Sequence, residues 1–102
     1  MEQYNVVFLQ DAFDDLEEII IFISKDNKVA ALKLHDKIME ITDKLKTFPK
    51  LGVLVPNKKI SDYGFRMIIV DKYILFYKIY DKEINILRIL HGARDYKSIF
   101  NK

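Results

Sequence analysis

Between Phe65 and His91 the chain alternates three apolar runs with two charged dipeptides, and that rhythm limits the folds open to it. Phe65 to Val70, Tyr73 to Tyr80 and Glu83 to His91 are rich in β-branched and aromatic residues and too short for buried helices. Asp71-Lys72 and Asp81-Lys82 separate them, a spacing that predicts two tight hairpins. Neither pair holds the glycine that primed turns favour, so the spacing rather than the residue types carries this expectation. The middle run is apolar or aromatic at both parities, Tyr73, Leu75 and Tyr77 against Ile74 and Phe76. It should be a central strand covered on both faces.

The first half reads differently. Tyr4 to Leu9 is a short strand candidate, broken by Gln10 and Asp11. Asp11 is placed to cap a helix, with Asp14 and Asp15 near the positive end of its dipole. Phe13, Leu16, Ile20 and Ile23 then recur at spacings of three and four and predict one apolar stripe, ending around Ser24 to Asp26. Asn27 is a second cap. Ala30, Leu34, Ile38, Ile41, Leu45 and Phe48 predict a long helical face stopped by Pro49. The short link predicts an antiparallel helical hairpin. Pro49 to Ser61 holds both prolines and the Lys58-Lys59 pair and reads as a loop; Ala93 to Lys102 reads as a polar tail with one helical turn. The expected fold is α+β: an N-terminal strand, a helical hairpin and a three-stranded antiparallel meander, β-α-α-β-β-β, in one domain over residues 1–102. The first strand belongs at the sheet edge or beside one of the outer meander strands. One helical hairpin covers one sheet face, so the other is expected to stay open as an apolar, basic-rimmed groove.

Charge divides the chain along the same line. Residues 1–57 carry seven lysines against ten acids, a balance of −3, while residues 58–102 carry ten basic residues against five acids, a balance of +5. The basic half suits an anionic partner. The isoelectric point of 8.7 is lower than that of a dedicated nucleic-acid binder. With no cysteine, disulfides and thiolate metal sites are excluded and a reducing cytoplasm is the expected location. The longest apolar run near the start, Ile19 to Ile23, is far too short for a membrane span, and no signal-peptide pattern precedes it. The two histidines, His35 and His91, lie far apart, so no metal or other cofactor is expected.

Candidate functional residues gather where the last strand ends. Arg88 interrupts its apolar run and must either pair with a carboxylate or carbonyl or reach a working surface. His91 supplies an imidazole at the strand exit, and Arg94 a fixed cation three residues on. Tyr73, Tyr77 and Tyr80 have packing as their default role.

The element order, the Phe48-Pro49…Gly52…Pro56 loop, Arg66, Tyr73-Ile-Leu-Phe-Tyr77 and Ile86-Leu-Arg-Ile-Leu-His-Gly-Ala-Arg-Asp95 together resemble the RelE/ParE toxins, the toxin halves of bacterial type II toxin–antitoxin pairs. The resemblance spans nearly the whole chain and is most specific in its last third. It implies one fold with two modes of action: RelE-like members cut messenger RNA in the ribosomal A site, and ParE-like members poison DNA gyrase. RNA cleavage through the 2′-hydroxyl needs a base, a cation for the phosphorane and an acid for the leaving oxygen. On the RelE-like pattern the strand lysines fall on Arg66 and Ile68, the arginine on Ile74 and the C-terminal tyrosine on Phe100, with Tyr96 nearby. Only Arg94 matches cleanly. Isoleucine cannot stabilise an anion and phenylalanine cannot donate a proton.

The resemblance therefore implies a non-enzymatic ParE-like toxin that inhibits growth by binding DNA gyrase, with Arg66, Arg88, His91, Arg94, Tyr96 and Phe100 as the target-binding set. One alternative is a ribosome-dependent mRNA endonuclease using Arg66, His91 and Arg94. A second is a toxin fold retained as an inactive binding module. The implied partner is a cognate acidic antitoxin, bound in a hetero-oligomer of even stoichiometry.

Overall fold

The computed structural model describes residues 3–100. Five strands form one sheet in the order β1-β5-β4-β3-β2. They are β1 (Asn5–Phe8), β2 (Val53–Leu54), β3 (Arg66–Val70), β4 (Tyr73–Tyr80) and β5 (Glu83–His91). Helices α1 (Gln10–Ser24) and α2 (Lys28–Leu45) follow β1, a four-residue helix α3 (Lys58–Ser61) follows β2, and a 3₁₀ turn spans Tyr96–Ile99. Asn101 and Lys102, the end of the expected tail, lie outside the described residues.

The meander forms as its rhythm requires. Val70 pairs with Tyr73 and Tyr80 with Glu83, leaving two-residue turns. Asp71 and Asp81 take φ of 55° and 53°, the left-handed region that aspartate tolerates better than most side chains. Strand β4 lies in the middle of the sheet, and Ile74, Leu75, Phe76 and Tyr77 are buried in succession. Strand β1 settles at the edge beside β5 and runs parallel to it, Asn5 opposite Glu83 and Phe8 opposite Ile86.

The hairpin of α1 and α2 covers one face. Leu16, Leu34, Ile38 and Leu45 meet Leu75, Tyr77, Ile84, Ile86 and Ile89 in the larger core. Asn27 caps α2, its side chain accepting from the Ala30 N–H at 3.0 Å. Three expectations for the helices need correction. Asp11 is not a cap: α1 begins at Gln10, with Leu9 at the cap position and no side-chain hydrogen bond there. Phe13 is 53% exposed, and Ala12, one turn before Leu16 on the buried face, takes its place in the core. Helix α2 ends at Leu45 rather than at Pro49, and Phe48 is exposed. The Lys46 carbonyl just past the helix accepts the Tyr4 N–H at 2.8 Å, so the start of β1 fixes that end.

The second face is not open. The segment expected to be a plain loop contains β2 and α3, and with the C-terminal turn it closes over the sheet. Val55, Ile60, Ile74, Phe76 and Leu90 form a second core, with Phe65, Met67, Leu87, Tyr96 and Phe100 packed against it. The rings of Tyr96 and Phe100 sit 5.0 and 5.6 Å from that of Phe76. An apolar sheet face left in water is costly, and residues 53–61 and 96–100 supply the cover that the helices cannot.

Candidate functional site

The end of β5 is built by short-range hydrogen bonds. The Gly92 N–H donates to the Lys72 carbonyl at 2.8 Å, tying the exit of β5 to the β3–β4 turn. The Ala93 N–H donates to His91 Nδ1 at 3.0 Å, and the Arg94 N–H to the His91 carbonyl at 3.0 Å. Nδ1 is thus an acceptor, and the neutral imidazole carries its proton on Nε2. The ring also stands edge-on to Tyr73 at 5.5 Å. His91 and Arg94 are exposed, and the Arg94 guanidinium has no ion-pair partner among the described residues.

The other candidates are elsewhere and already occupied. Arg88 holds Asp15 of α1 with both arms of its fork, Nε to Oδ2 at 2.7 Å and Nη2 to Oδ1 at 3.0 Å. These hydrogen bonds raise the Arg88 guanidinium above its already high ordinary range. The pair exists because β1 is short. Its ladder along β5 stops where the Leu9 N–H meets the Ile86 carbonyl, and beyond that Asp15 Oδ2 accepts the Ile89 N–H at 3.0 Å. One carboxylate therefore continues the missing edge strand and neutralises the arginine. The register shift between Phe76 and Tyr77, which leaves Leu87 as the extra residue in β5, occurs at this point. Arg88 thus has both arms of its fork engaged by Asp15.

Arg66 has a comparable task. Its Nη1 donates to the Gly52 carbonyl at 2.8 Å. The fully buried Tyr77 completes the clasp, its hydroxyl donating to the Pro49 carbonyl at 2.8 Å and accepting the Gly52 N–H at 2.9 Å. Burial raises the Tyr77 phenol above its ordinary value, against smaller opposing effects of the Gly52 N–H and Arg66. Gly52 is required by space: a Cβ there would lie 2.6 Å from the Met67 carbonyl oxygen and 2.8 Å from the Tyr77 ring.

These positions separate the three residues of the nuclease alternative. Arg66 lies opposite Tyr77 and His91 opposite Tyr73, on strands flanking β4 from opposite sides. Four residues of strand are roughly 13 Å and two strand spacings about 9 to 10 Å. His91 and Arg94 share one turn, and Arg66 belongs to another part of the sheet. Ile74 is buried in the second core. Tyr96 and Phe100 are half-buried, and Phe100 also lines a cleft of about 870 Å³ beside α3. That cleft escaped the sequence reading because no repeating pattern announces it. The Lys58-Lys59 pair followed by Tyr63 and Phe65 was its one local sign. Among the described residues no group of three or more His, Asp or Glu side chains is placed to hold a metal, and no helix is long and apolar enough to cross a membrane.

Comparison with known proteins agrees with this architecture. Two solved structures superpose on 87% of the chain. One, the chromosomal ParDE toxin–antitoxin system of P. aeruginosa, is 23% identical, with 96% of that chain covered and a TM-score of 0.69. The other, the toxin–antitoxin complex RelBE2 of Mycobacterium tuberculosis, is 22% identical, with 98% of that chain covered and a TM-score of 0.61. At these identities the likeness speaks for the fold. No curated protein matches. The family model for the ParE toxin of type II toxin–antitoxin systems, parDE, matches residues 6–96, from β1 to the C-terminal turn. A match of that extent assigns the chain to the ParE toxin family.

Proposed function

We propose that this toxin inhibits growth by binding and not by chemistry, and that DNA gyrase is its target. The observation that carries the reading is the separation of Arg66 from His91 and Arg94, together with the commitment of Arg66 to the Gly52 carbonyl and of His91 Nδ1 to the Ala93 N–H. A phosphoryl-transfer site needs its base, cation and acid within hydrogen-bond reach of one phosphate. The gyrase assignment rests on the ParE-type ending Leu90-His-Gly-Ala-Arg-Asp95 and on membership of the ParE family. The target-facing surface is the β5 exit, with His91 and Arg94 at its centre.

Induction of the chain in bacteria, with DNA and protein synthesis followed separately, tests this. An early fall in DNA synthesis with gyrase-linked breaks is expected. Early arrest of translation with cleaved messages would replace gyrase by ribosome-bound mRNA. No growth effect from folded protein would leave only a binding module.

An antitoxin partner belongs to the same proposal, on a revised surface. The open sheet face that motivated it is closed, but Phe48, Leu51, Val53 and Leu54 are exposed along the β2 edge beside Lys50. An edge strand with exposed apolar side chains suits strand addition by an acidic partner segment. Replacing Val53 and Leu54 by glutamate should weaken copurification with the neighbouring antitoxin while leaving the fold intact.

A further inference from the structure

We propose that the outer face of α1 is a self-association surface, on which a second copy of this chain packs its own α1 antiparallel about a two-fold axis between Ile21 and Phe22. The starting point is a group of apolar side chains that packing within the chain leaves in water. Ile21 and Phe22 near the end of α1 are 53% and 69% exposed, and Val29 and Leu32 at the start of α2 are both 62% exposed. All four lie within about one helical turn of the link between the two helices. Beside them Glu18, Ile19, Ile21, Phe22, Lys25 and Tyr73 line an open groove of about 450 Å³. Ridge and groove are thus made by the same few residues, as a two-fold, isologous contact requires. The surface contains none of the target-binding residues, although its Tyr73 ring borders His91 and its Glu18 charge helps to hold Arg88 protonated.

Charge selects the occupant. Asp14, Glu18, Ile21, Phe22 and Lys25 follow one another at helical spacing, Lys25 being the cap residue with helical φ and ψ, and all five are exposed. They form one outward stripe, acidic at its start, apolar in the middle and basic at its end. Two such stripes laid antiparallel complement each other. Ile21 meets the partner's Phe22, Glu18 meets the partner's Lys25, and Asp14 reaches towards the partner's Lys28, each contact occurring twice. Neither Glu18 nor Lys25 is in an ion pair among the described residues, so each can turn to the second copy. An acidic peptide or an anionic membrane surface would instead meet Asp14, Glu17 and Glu18, and like charges brought together are costly. A parallel arrangement of two copies would set acid on acid in the same way.

Sedimentation equilibrium of the antitoxin-free, full-length chain at micromolar concentrations tests this, and it reads association directly instead of toxicity. A reversible dimer is expected, weakening as salt screens the pairs at its rim. Phe22→Glu, at an exposed position, should keep the thermal unfolding midpoint and weaken dimerisation by about tenfold to a hundredfold. Glu18→Lys and Lys25→Glu should each be monomeric alone, because like charges then face each other across the axis. Mixed together, the two variants should form a one-to-one dimer. Recovery on mixing is a signature that neither a misfolded variant nor a different occupant can produce. The proposal is overturned by a natural chain that stays monomeric, by undiminished dimerisation of Phe22→Glu, or by charge variants that remain apart when mixed. A monomeric natural chain whose copurification with the antitoxin is abolished by Phe22→Glu would give this face to the antitoxin instead.

Discussion

At the residue scale, Asp15 and Arg88 show how a cation inside an apolar strand can serve the fold. The sequence places Arg88 in an apolar run and demands a partner for it, but that partner is a helix residue 73 positions away, and only the parallel docking of β1 on β5 brings the two together. Asp15 also satisfies the Ile89 N–H, so the two members of the pair are unequal. Breaking a buried pair costs about 3 to 5 kcal/mol. With side-chain exposures of 23% and 12% this one is partly solvated, and Asp15→Ala should cost about 2 kcal/mol. For a domain of this size that lowers Tm by roughly 10 °C. Arg88→Ala should cost less, because Asp15 keeps its backbone donor; equal losses in urea melts would show that the Ile89 hydrogen bond contributes nothing. The candidates at the β5 exit make the opposite prediction. Arg94 is exposed, so Arg94→Ala should change stability by less than about half a kcal/mol and still reduce toxicity. Arg66→Ala releases the Gly52 carbonyl and should cost about 1 kcal/mol. If both variants fold and remain fully toxic, the target surface lies elsewhere.

At the element scale, legibility followed periodicity. Strands β4 and β5 run between the residues that the two-residue breaks predicted, because a strand apolar on both faces has one place in a sheet. Strand β2 and helix α3, of two and four residues, are too short for any period and are set by tertiary contacts. Pro49 was a misleading stop for α2, which ends four residues earlier where Tyr4 takes the Lys46 carbonyl. What the proline segment does instead is enter the Tyr77 clasp. Tyr77→Phe leaves the buried Gly52 N–H and the Pro49 carbonyl without that hydroxyl and should cost about 2 kcal/mol. Gly52→Ala should cost about as much, since backbone and a packed ring must move away from its Cβ. The clasp also predicts an alkaline limit. The folded state raises the Tyr77 pKa above its ordinary value of 10.0, so it holds the proton after the unfolded chain has released it. Stability from this group is therefore complete below pH 10 and falls as pH rises beyond it, by at most about 1.4 kcal/mol per pH unit. Urea melts at rising pH should show a steeper decline for the natural protein than for Tyr77→Phe. Parallel slopes would mean that the phenol ionises as readily in the fold as outside it.

At the scale of the whole molecule, the two cores differ in how they are covered. The helix-side core is enclosed by two helices of 15 and 18 residues joined by a short, capped turn. The second core lies under a two-residue strand, a four-residue helix and a 3₁₀ turn, held largely by side chains. Composition announced that half the chain is hydrophobic, but could not say that so little regular structure would suffice to close the second face. Short elements form few internal hydrogen bonds and bury little area each, so they should open without unfolding the sheet. Hydrogen exchange in the native state should accordingly divide the chain. Amides of β4 and β5 should exchange only through global unfolding, and those of residues 53–64 and 92–100 through smaller openings. Tyr96→Ala with Phe100→Ala removes two rings from over Phe76. It should speed exchange in the cover far more than in α1 and α2, and it should expose enough of the second core to bind a hydrophobic dye. Uniform loss of protection through both layers would instead show that the two cores unfold as one unit.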